Sequence, residues 1–395
     1  MNKRDVVLIA GARTAFTKFG GSFRDISAID LTVYALKEAM VRSKVSAEAI
    51  DHVIFGNVLQ TSPDAILFAR MVGLKSGIPK HVPALTVNRV CGSGVEAIVQ
   101  GARLIQTGEA DVVAVGGGES MSQIPHVIRG ARWGTPLFET IQAKDYLWEA
   151  LYDPYGGVYM ADTAENLAEQ YNLSREEVDA HAYESHRRAL KAIEKGYLQE
   201  EIVPITVKIN KQEKVVDVDE HPRQTSLEDL AKLKPRFREN GVVTAGNASG
   251  INDGAAAMII TSLEYAEKHG LKPMARLVTW GVSGCEPKIM GIGPVPAIKQ
   301  ALEKAKLELK DLALIEINEA FSAQYLACQK ELGFDPEIGN VNGGAVALGH
   351  PLAASGARLS LTLVHELQRR KERYGVASLC IGGGQGIAAL WERMS

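Results

Sequence analysis

The sequence predicts an α/β protein made of two similar halves with a different segment inserted between them. An internal repeat is the first observation. The segments that begin at Val87 and Val341 each run through a small-residue loop, an amphipathic helix containing Gly-Ala-Arg, a buried strand and a triple-glycine turn. The second observation is that residues 111–115 and 376–381 are short, β-branched and almost wholly apolar, as buried strands are. We therefore expect parallel or mixed sheets covered by helices.

Length and composition narrow the class of protein. The chain has 395 residues, with 44 basic and 47 acidic side chains, a net charge of −3 and four cysteines. At roughly 100–200 residues per domain, two or three domains are expected. The charge balance argues against a dominant nucleic-acid or membrane surface, and too few cysteines are present for a disulfide scaffold. No apolar run approaches the ~20 residues of a membrane span, so we expect a soluble cytoplasmic protein without nucleic-acid or membrane partners.

The elements of the two halves follow from local patterns. Residues 6–10 are apolar and predict a buried strand. Residues 36–57 and 298–318 both run as a helix, a polar stretch and a strand that ends at asparagine. Two apolar helical faces recur at the spacing of a 3.6-residue turn; their members are Val95, Ile98, Val99, Ala102 and Ile105 in the first, and Phe321, Tyr325, Cys328 and Leu332 in the second.

Between the halves the composition changes, and the chain becomes rich in loop-forming and charged residues. Residues 173–188 predict a helix with Ser174 as its N-cap and Glu177 completing a capping box, and residues 202–218 alternate like exposed strands. We assign residues 122–246 to an inserted loop domain, residues 1–121 plus 247–271 to the N-terminal half, and residues 272–395 to the C-terminal half. Such insertions often carry specificity over a rigid scaffold.

Cys91 is the strongest candidate for a nucleophile. It lies in the run Val-Cys-Gly-Ser-Gly directly before the first helical face. Unpaired backbone N–H groups and the helix dipole at a helix N-terminus favour a thiolate over a thiol. A small buried cysteine is the alternative interpretation.

Candidate partners lie in the second half. His350 follows a glycine-rich loop at the position of the repeat that corresponds to Cys91, so both loops are expected at one edge of the sheets. A histidine there is suited to act as a general base. Cys380 ends a buried strand before Gly382–Gly384, where it is either a second proton carrier or a packing residue. Cys285 and Cys328 are interpreted as packing residues.

Asn318 has two interpretations, a helix N-cap or a polar group that holds a water molecule or an oxyanion. Gly382–Gly384 is not followed by the lysine of a P-loop, and no dinucleotide fingerprint occurs in a strand–helix context. No Cys-x-x-Cys pair is present either, so the sequence predicts no metal site.

Together these motifs resemble the thiolase family along nearly the whole chain, and within it the acetyl-CoA acetyltransferases. The segments that carry the resemblance include VNRVCGSG, GGGESMSQIPH, NEAF, NVNGGAVALGHPLAASGAR and LCIGGGQG. The resemblance implies a five-layered α-β-α-β-α core with an inserted loop domain. It also implies a homo-oligomer, most often a tetramer, and residues 126–137 are similar to the loop that joins dimers in tetrameric members.

The resemblance also implies roles for individual residues. Cys91 matches the acylated nucleophile, His350 its activating base, and Cys380 the group that removes the α-proton of the incoming acyl-CoA. Asn318 matches the residue whose bound water forms one oxyanion hole with His350, and the backbone N–H groups of Cys91 and Gly382 would form the other. Contacts with coenzyme A and the acyl path are implied for Leu151, Met160, Arg223, Phe237, Ser249, Met290 and Phe321.

The activity expected from this resemblance is the condensation of two acetyl-CoA molecules to acetoacetyl-CoA and CoA, or its reversal by thiolysis, with no bound cofactor. A preference for short chains is expected from the bulky side chains of Met160, Phe237, Met290 and Phe321. Tyr159 stands where close biosynthetic relatives often have histidine, which leaves open the alternative of a broader-chain 3-ketoacyl-CoA thiolase. Two further alternatives are a decarboxylating condensing enzyme, against which Cys380 argues, and a non-catalytic acyl-CoA or lipid carrier on the same scaffold.

Overall fold

The computed structural model describes residues 2–135, 137–209 and 211–394. Pro136, within the predicted oligomerisation loop, lies outside the described residues. Across the described part of the chain, no helix combines the length and apolar character needed to span a bilayer.

The N-terminal half alternates strands and helices. Its elements are β1 (Val6–Arg13), β2 (Thr17–Lys18), α1 (Ala28–Ser43), β3 (His52–Gly56), α2 (Phe68–Lys75), β4 (Ala84–Val87), α3 (Ser93–Thr107) and β5 (Val112–Ser120). The insertion contributes β6 (His126–Ile128), β7 (Ala143–Asp145), α4 (Tyr146–Ala150), β8 (Tyr152–Asp153), β9 (Val158–Tyr159), α5 (Met160–Gln170), α6 (Arg175–Glu194), β10 (Ile205–Ile209), β11 (Gln212–Val216) and α7 (Leu227–Ala231).

After the insertion, β12 and α8 complete the N-terminal half, and the remaining elements form the C-terminal half. These elements are β12 (Asn252–Ser262), α8 (Leu263–Lys268), β13 (Ala275–Gly284), α9 (Pro294–Ala305), β14 (Leu314–Ile317), α10 (Ser322–Leu332), α11 (Ala345–Leu348), α12 (Leu352–Arg370), β15 (Tyr374–Ile381) and β16 (Gln385–Arg393).

Ten strands, from both halves of the chain, form one mixed sheet. The six strands of the insertion form three separate two-stranded sheets. The order of the mixed sheet is β14-β15-β16-β13-β1-β12-β5-β3-β4, with β2 paired to β12. The halves join where β1 pairs antiparallel with β13, from Val6 opposite Leu277 to Leu8 opposite Ala275. Helices α3 and α12 contact each other and strands of both halves, so the two half-sheets enclose them.

The remaining helices cover the outer faces of the half-sheets. Helices α1 and α2 pack on the N-terminal half-sheet, and α9 packs on the C-terminal one. Large apolar side chains such as Ile98, Leu363 and Trp391 are fully buried in the central layer. Each such side chain contributes about 1.5–3 kcal/mol on burial. The predicted α-β-α-β-α layering is therefore confirmed.

The central pair of helices needs glycine where it crosses. A Cβ atom on Gly94 of α3 would lie 2.6 Å from the backbone nitrogen of Ala357, and a Cβ on Gly356 of α12 would lie 2.7 Å from the nitrogen of Val95. Both distances are shorter than a carbon–nitrogen contact allows. The glycines thus let the two repeat-related helices touch, which brings the loops at their N-termini together.

The insertion is more helical than its composition suggested. Helix α6 has 20 residues and begins with the predicted capping box, in which Ser174 Oγ accepts from the Glu177 N–H and Glu177 accepts from the Ser174 N–H. Strands β10 and β11 pair antiparallel within the segment predicted as exposed strands, but Ile205, Val207 and Val216 are buried, so only one face of the pair is exposed. The division into three segments stays a prediction.

Candidate active site

A cavity of about 270 Å³ opens where the two repeat-related loops meet. Its apolar wall comes from the insertion and from both halves of the chain, and the glycines after β15 also line it. Eight predicted residues line it: Cys91, Leu151, Met160, Ser249, Met290, Phe321, His350 and Gly382. The structure therefore brings the nucleophile and base candidates into one enclosed space.

Cys91 is held in a tight turn between β4 and α3. The preceding Val90 has φ 44°, an unusual value for a β-branched residue that indicates stored backbone strain of about 1–3 kcal/mol. Gly92 is the N-cap of α3, and a Cβ there would lie 2.6 Å from Ile381 Cδ1. Close packing against the opposite half thus fixes the direction in which the thiol points.

The resting Cys91 is a neutral thiol, contrary to the expectation from the helix N-terminus alone. Burial raises the pKa of this thiol to about 12, although the backbone N–H groups of Gly382 and Cys91 act against the rise. Desolvation outweighs the local dipole because the sulfur lies in an apolar cavity. Formation of a thiolate therefore needs a base beside it.

His350 is positioned to supply that base. Its backbone N–H donates to Asn252 Oδ1 at 3.0 Å, and its Nδ1 lies 2.6 Å from Ser355 Oγ. The Ser355 hydroxyl donates to the Pro351 carbonyl, so its oxygen accepts a hydrogen bond from the Nδ1–H group and the lone pair of the ring lies on Nε2. Burial, together with the charge of Arg358, lowers the pKa of His350 to about 3, so the ring is neutral at pH 7.

Asn318 is not an N-cap, because α10 begins four residues later with Phe321 as its N-cap. Its Nδ2 lies 3.4 Å from His350 Nε2. Its buried Oδ1 has no partner among the described residues, so it is free to accept a hydrogen bond from a water molecule or a substrate. Of the two interpretations, the polar group directed at the site fits the structure.

Cys380 lies behind the cavity wall and is fully buried. It packs with Met290 and Ala320, both of which line the cavity. Burial, and the neighbouring Cys91, raise its pKa well above the usual range of a thiol. A neutral thiol at this depth is suited to hand a proton to a reacting carbon and to take it back.

Two predicted contact residues lie outside this cavity. Phe237 is 37% exposed and packs on Trp148, with ring centroids 6.4 Å apart. Arg223 is half-buried, and no carboxylate pairs with it among the described residues. Burial lowers the pKa of this guanidinium, so an anionic ligand would stabilise it.

The sequence analysis missed several positioning residues. Asn252 and Ser355 hold His350 as described; Asn252 lies 98 residues from His350, whereas Ser355 lies only five residues after it, inside the same motif. Glu119 is fully buried and accepts hydrogen bonds from the backbone of Leu59 and Ala353, which joins the loop after β3 to the start of α12. Contacts between distant segments identify Asn252 and Glu119, whereas the spacing of Ser355 from His350 is a signal that the sequence contains.

The arrangement provides a nucleophilic thiol, a neutral imidazole and a backbone donor at one cavity, with a second thiol directly behind its wall. These groups suit acyl transfer through a covalent thioester. Within the described residues, no cluster of three histidine, cysteine, aspartate or glutamate side chains is arranged to hold a metal ion.

Comparisons with known proteins agree with this chemistry. Residues 6–264 match the family model of the thiolase N-terminal domain, and residues 271–393 match that of the thiolase C-terminal domain. The chain is 53% identical to human mitochondrial 3-ketoacyl-CoA thiolase over 388 residues, which cover 98% of each chain.

Solved structures give the same result. The human mitochondrial 3-ketoacyl-CoA thiolase in complex with CoA superposes with a TM-score of 0.97 at 53% identity, covering 99% of this chain and 98% of that one. The Bacillus anthracis acetyl-CoA acetyltransferase superposes with a TM-score of 0.96 at 48% identity, covering 99% of both chains.

Proposed function

This chain belongs to the thiolase family, and we propose that it is a 3-ketoacyl-CoA thiolase with a broad range of acyl chains. It would cleave a 3-oxoacyl-CoA with coenzyme A and would catalyse the reverse condensation as well. The observation that carries the proposal is the convergence of Cys91, His350 and the Gly382 N–H on one apolar cavity, with Cys380 behind it.

In the first half-reaction Cys91 attacks the 3-oxo carbon of the substrate. His350 Nε2 takes the thiol proton, and the developing oxyanion receives hydrogen bonds from donors around the cavity. The bond between C2 and C3 then breaks, and the electron pair stays on C2. The Cys380 thiol protonates this carbon, so acetyl-CoA leaves and the shortened acyl group remains on Cys91.

In the second half-reaction coenzyme A attacks the acyl-Cys91 thioester. At this stage His350 still holds the Cys91 proton and Cys380 is a thiolate, so Cys380 accepts the proton of the CoA thiol and His350 returns its proton to the departing Cys91. The new acyl-CoA departs, and Cys91 and Cys380 regain their thiol protons. Run backwards, the same groups join two acetyl-CoA molecules, with Cys380 as the base that removes the α-proton.

Coenzyme A would reach Cys91 along the side of the cavity that the insertion lines. The cavity lining is mostly apolar there, which suits the pantetheine arm. Arg223 offers an unpaired, half-buried positive charge for a phosphate group. The human relative of known structure binds CoA, which supports the same ligand for this chain.

A broad range of chain lengths is supported by the space beside the cavity. A second, more open cavity of about 800 Å³ shares Ala150, Tyr152 and Pro154 with the first. Its wall includes Trp148 and Tyr159, whose ring centroids lie 5.2 Å apart. Since Phe237 packs against Trp148 outside the catalytic cavity, it does not close the acyl end as its bulk suggested.

The proposal is tested by kcat/KM for thiolysis of 3-oxoacyl-CoA substrates with four, six and eight acyl carbons. We expect the eight-carbon substrate to be used at least as well as acetoacetyl-CoA. Each methylene excluded from an apolar pocket would cost about 1–3 kcal/mol. A steep fall with length would instead identify an acetyl-CoA acetyltransferase, the second candidate, which the 48% identity to the Bacillus enzyme favours.

We also propose that the chain forms a tetramer through the segment between β6 and β7. This segment exposes Trp133, Leu137, Phe138 and Ile141 to solvent, and Trp133 is 92% exposed. A second copy of the same loop would cover these apolar side chains. Sedimentation should show a tetramer that dissociates when Trp133 and Phe138 are replaced by serine; an unchanged mass would contradict the proposal.

A further inference from the structure

A cavity lined by basic side chains lies at the C-terminal ends of α6 and α12, away from the active site. It has a volume of about 400 Å³, and its cations are Arg187, Arg188, Lys191, Lys195, Arg369 and Arg370. His350 precedes the other end of α12. At a rise of about 1.5 Å per residue, the 19 residues of this helix separate the two sites by about 28 Å.

The arginines of this cavity are held by carboxylates, but the lysines are not. The buried Glu366 bonds to Arg369 and Arg370, and Glu184 bonds to Arg187 and Arg188. Neither Lys191 nor Lys195 has a carboxylate partner among the described residues. Both lysines are exposed to solvent, and Lys195 Nζ lies 5.5 Å from the centre of the Tyr197 ring. The cavity thus contains two ammonium groups that are not paired with the carboxylates of Glu337 and Glu366, which also line it.

The floor of the cavity is rigid. Asn342 is buried and donates to Glu366 Oε2 at 2.9 Å. The Arg369 guanidinium lies over the ring of Tyr197 at 3.9 Å from its centroid, and it also bonds to Glu200 at 2.8 Å. Because these groups are fixed before any ligand arrives, binding loses little conformational freedom.

The helix dipole explains part of the clustering of basic side chains at the ends of α6 and α12, since cations near the C-terminus of a helix are stabilised by its dipole. It does not explain why cations from the ends of two helices share one concave space, where like charges repel. The chain as a whole carries a net charge of −3, so the positive potential is local. A compact anion of high charge would relieve the repulsion and engage both lysines.

We propose that this cavity binds the diphosphate group of a small phosphorylated metabolite. Its concave shape and volume suit a small molecule rather than an extended polyanion. Lysine ammonium groups are point charges that bind phosphate oxygens without a fixed geometry, whereas the arginines on the floor provide oriented donors. The site is separate from the proposed coenzyme A path, which contains Arg223.

The test is calorimetric titration of the purified full chain with inorganic pyrophosphate at 0.15 M salt, where surface attraction is screened beyond about 8 Å. The variant is Lys191→Met with Lys195→Met. A matched control, Lys37→Met with Lys268→Met, removes two exposed lysines that have no described ion pair. We expect wild type and control to bind equally and the cavity variant to bind at least about tenfold more weakly.

Thermal unfolding gives a second measure, because a ligand that binds only the folded state raises Tm. Pyrophosphate should raise the Tm of the wild type and the control but not that of the cavity variant. Equal binding by the cavity variant, or no binding by the wild type, would overturn the inference. Loss of pyrophosphate binding in Arg223→Met alone would also overturn it, because the diphosphate would then lie in the coenzyme A path. Binding to anionic vesicles without binding to pyrophosphate would overturn it as well. None of these measurements depends on thiolase activity.

Discussion

The two cysteines of the active site, Cys91 and Cys380, have different surroundings. Cys91 lines the cavity, whereas Cys380 is fully buried behind Met290 and Ala320. A nucleophile has to reach the substrate carbonyl carbon, so only Cys91 is suited to that role. Cys380 is suited to proton transfer, in which the sulfur exchanges only a proton with C2 of the substrate and forms no sulfur–carbon bond.

The first prediction concerns Cys91→Ser, which should lower thiolysis by at least about a thousandfold. A serine hydroxyl is a weaker nucleophile at neutral pH, and the fold and Tm should be unchanged because the side chain is nearly isosteric. Mass spectrometry of the wild type after mixing with acetyl-CoA should locate the acetyl group on Cys91. Trapped acetylation at another residue, with Cys91 unmodified, would refute the assignment.

Cys380→Ala should separate the half-reactions. Acylation of Cys91 should persist, because His350 is sufficient to activate it. Condensation should fall by roughly 10²–10⁴-fold, the usual contribution of a general acid or base. Exchange of solvent deuterium into the acetyl-CoA methyl group should fall in parallel. A variant that loses acylation and keeps exchange would show that the two roles are reversed.

Ser355→Ala should lower kcat by roughly tenfold or more with little change in KM. The hydroxyl accepts from His350 Nδ1 and so keeps the lone pair on Nε2. Without this bond the ring can adopt the tautomer with the proton on Nε2. In that tautomer Nε2 has no lone pair with which to accept the Cys91 proton. Ser360→Ala is the matched control, since Ser360 is also buried on α12 but has no described partner. Equal kcat values for the two variants would remove this role from Ser355.

At the scale of elements, the contact of α3 with α12 determines the distance between the nucleophile and the base. Cys91 precedes α3 and His350 precedes α12, so any separation of the helices moves both residues. The glycines at the crossing leave no room for a methyl group, because the nearest atoms belong to the backbone of the other helix.

Gly94→Ala should therefore destabilise the protein by about 1–3 kcal/mol, the usual cost of overpacking, and should also lower kcat/KM. The control is Gly73→Ala in α2, whose added Cβ would meet only the Val53 side chain, at 3.3 Å. There the better helix propensity of alanine offsets the tight contact, so the change should stay within about 1 kcal/mol. Denaturant titration and thiolysis kinetics measure both effects. Equal stability of the two variants would contradict the close crossing.

At the scale of the whole molecule, one buried carboxylate joins the insertion to the C-terminal half. Glu319 accepts from Ser185 Oγ on α6 at 2.7 Å and from Asn340 Nδ2 at 2.8 Å, and it lies 3.2 Å from His181 Nε2. Burial acts to raise its pKa, but His181 and these hydrogen bonds lower it to about 2. The charged form is therefore part of the folded structure.

Glu319→Gln should destabilise the protein by about 3 kcal/mol at pH 7, as expected when a buried charged network loses one partner. A carboxylate with a lowered folded-state pKa contributes stability above its unfolded pKa of about 4.5, and loses it as the pH falls towards 2. The difference in unfolding free energy between wild type and variant should therefore shrink below about pH 4.5. Exposed Glu331→Gln is the control, and a difference that does not change with pH would refute the charged state of Glu319.

The sequence by itself predicted the architecture and the candidates for the reactive groups. The repeat at Val87 and Val341 implied that the loops containing Cys91 and His350 meet, because equivalent loops of repeated units lie at equivalent edges. The capping box of Ser174 and Glu177 and the buried strand before Cys380 were also predictable. Each of these features depends on hydrophobic period or on contacts within a few residues, which a linear sequence contains.

Only the tertiary structure decided the protonation states and the positions around these groups. Burial makes the resting Cys91 a neutral thiol although its helix N-terminus favours a thiolate, because desolvation depends on neighbours from both halves of the chain. The position of Phe237 outside the catalytic cavity and the orientation of Asn318 towards His350 likewise depend on distances between segments apart in sequence. The bond from His350 to Ser355 is local in sequence, but the turn into α12 that closes it forms only in the folded protein. Those distances are set by packing, and the pattern of residues along the chain does not specify them.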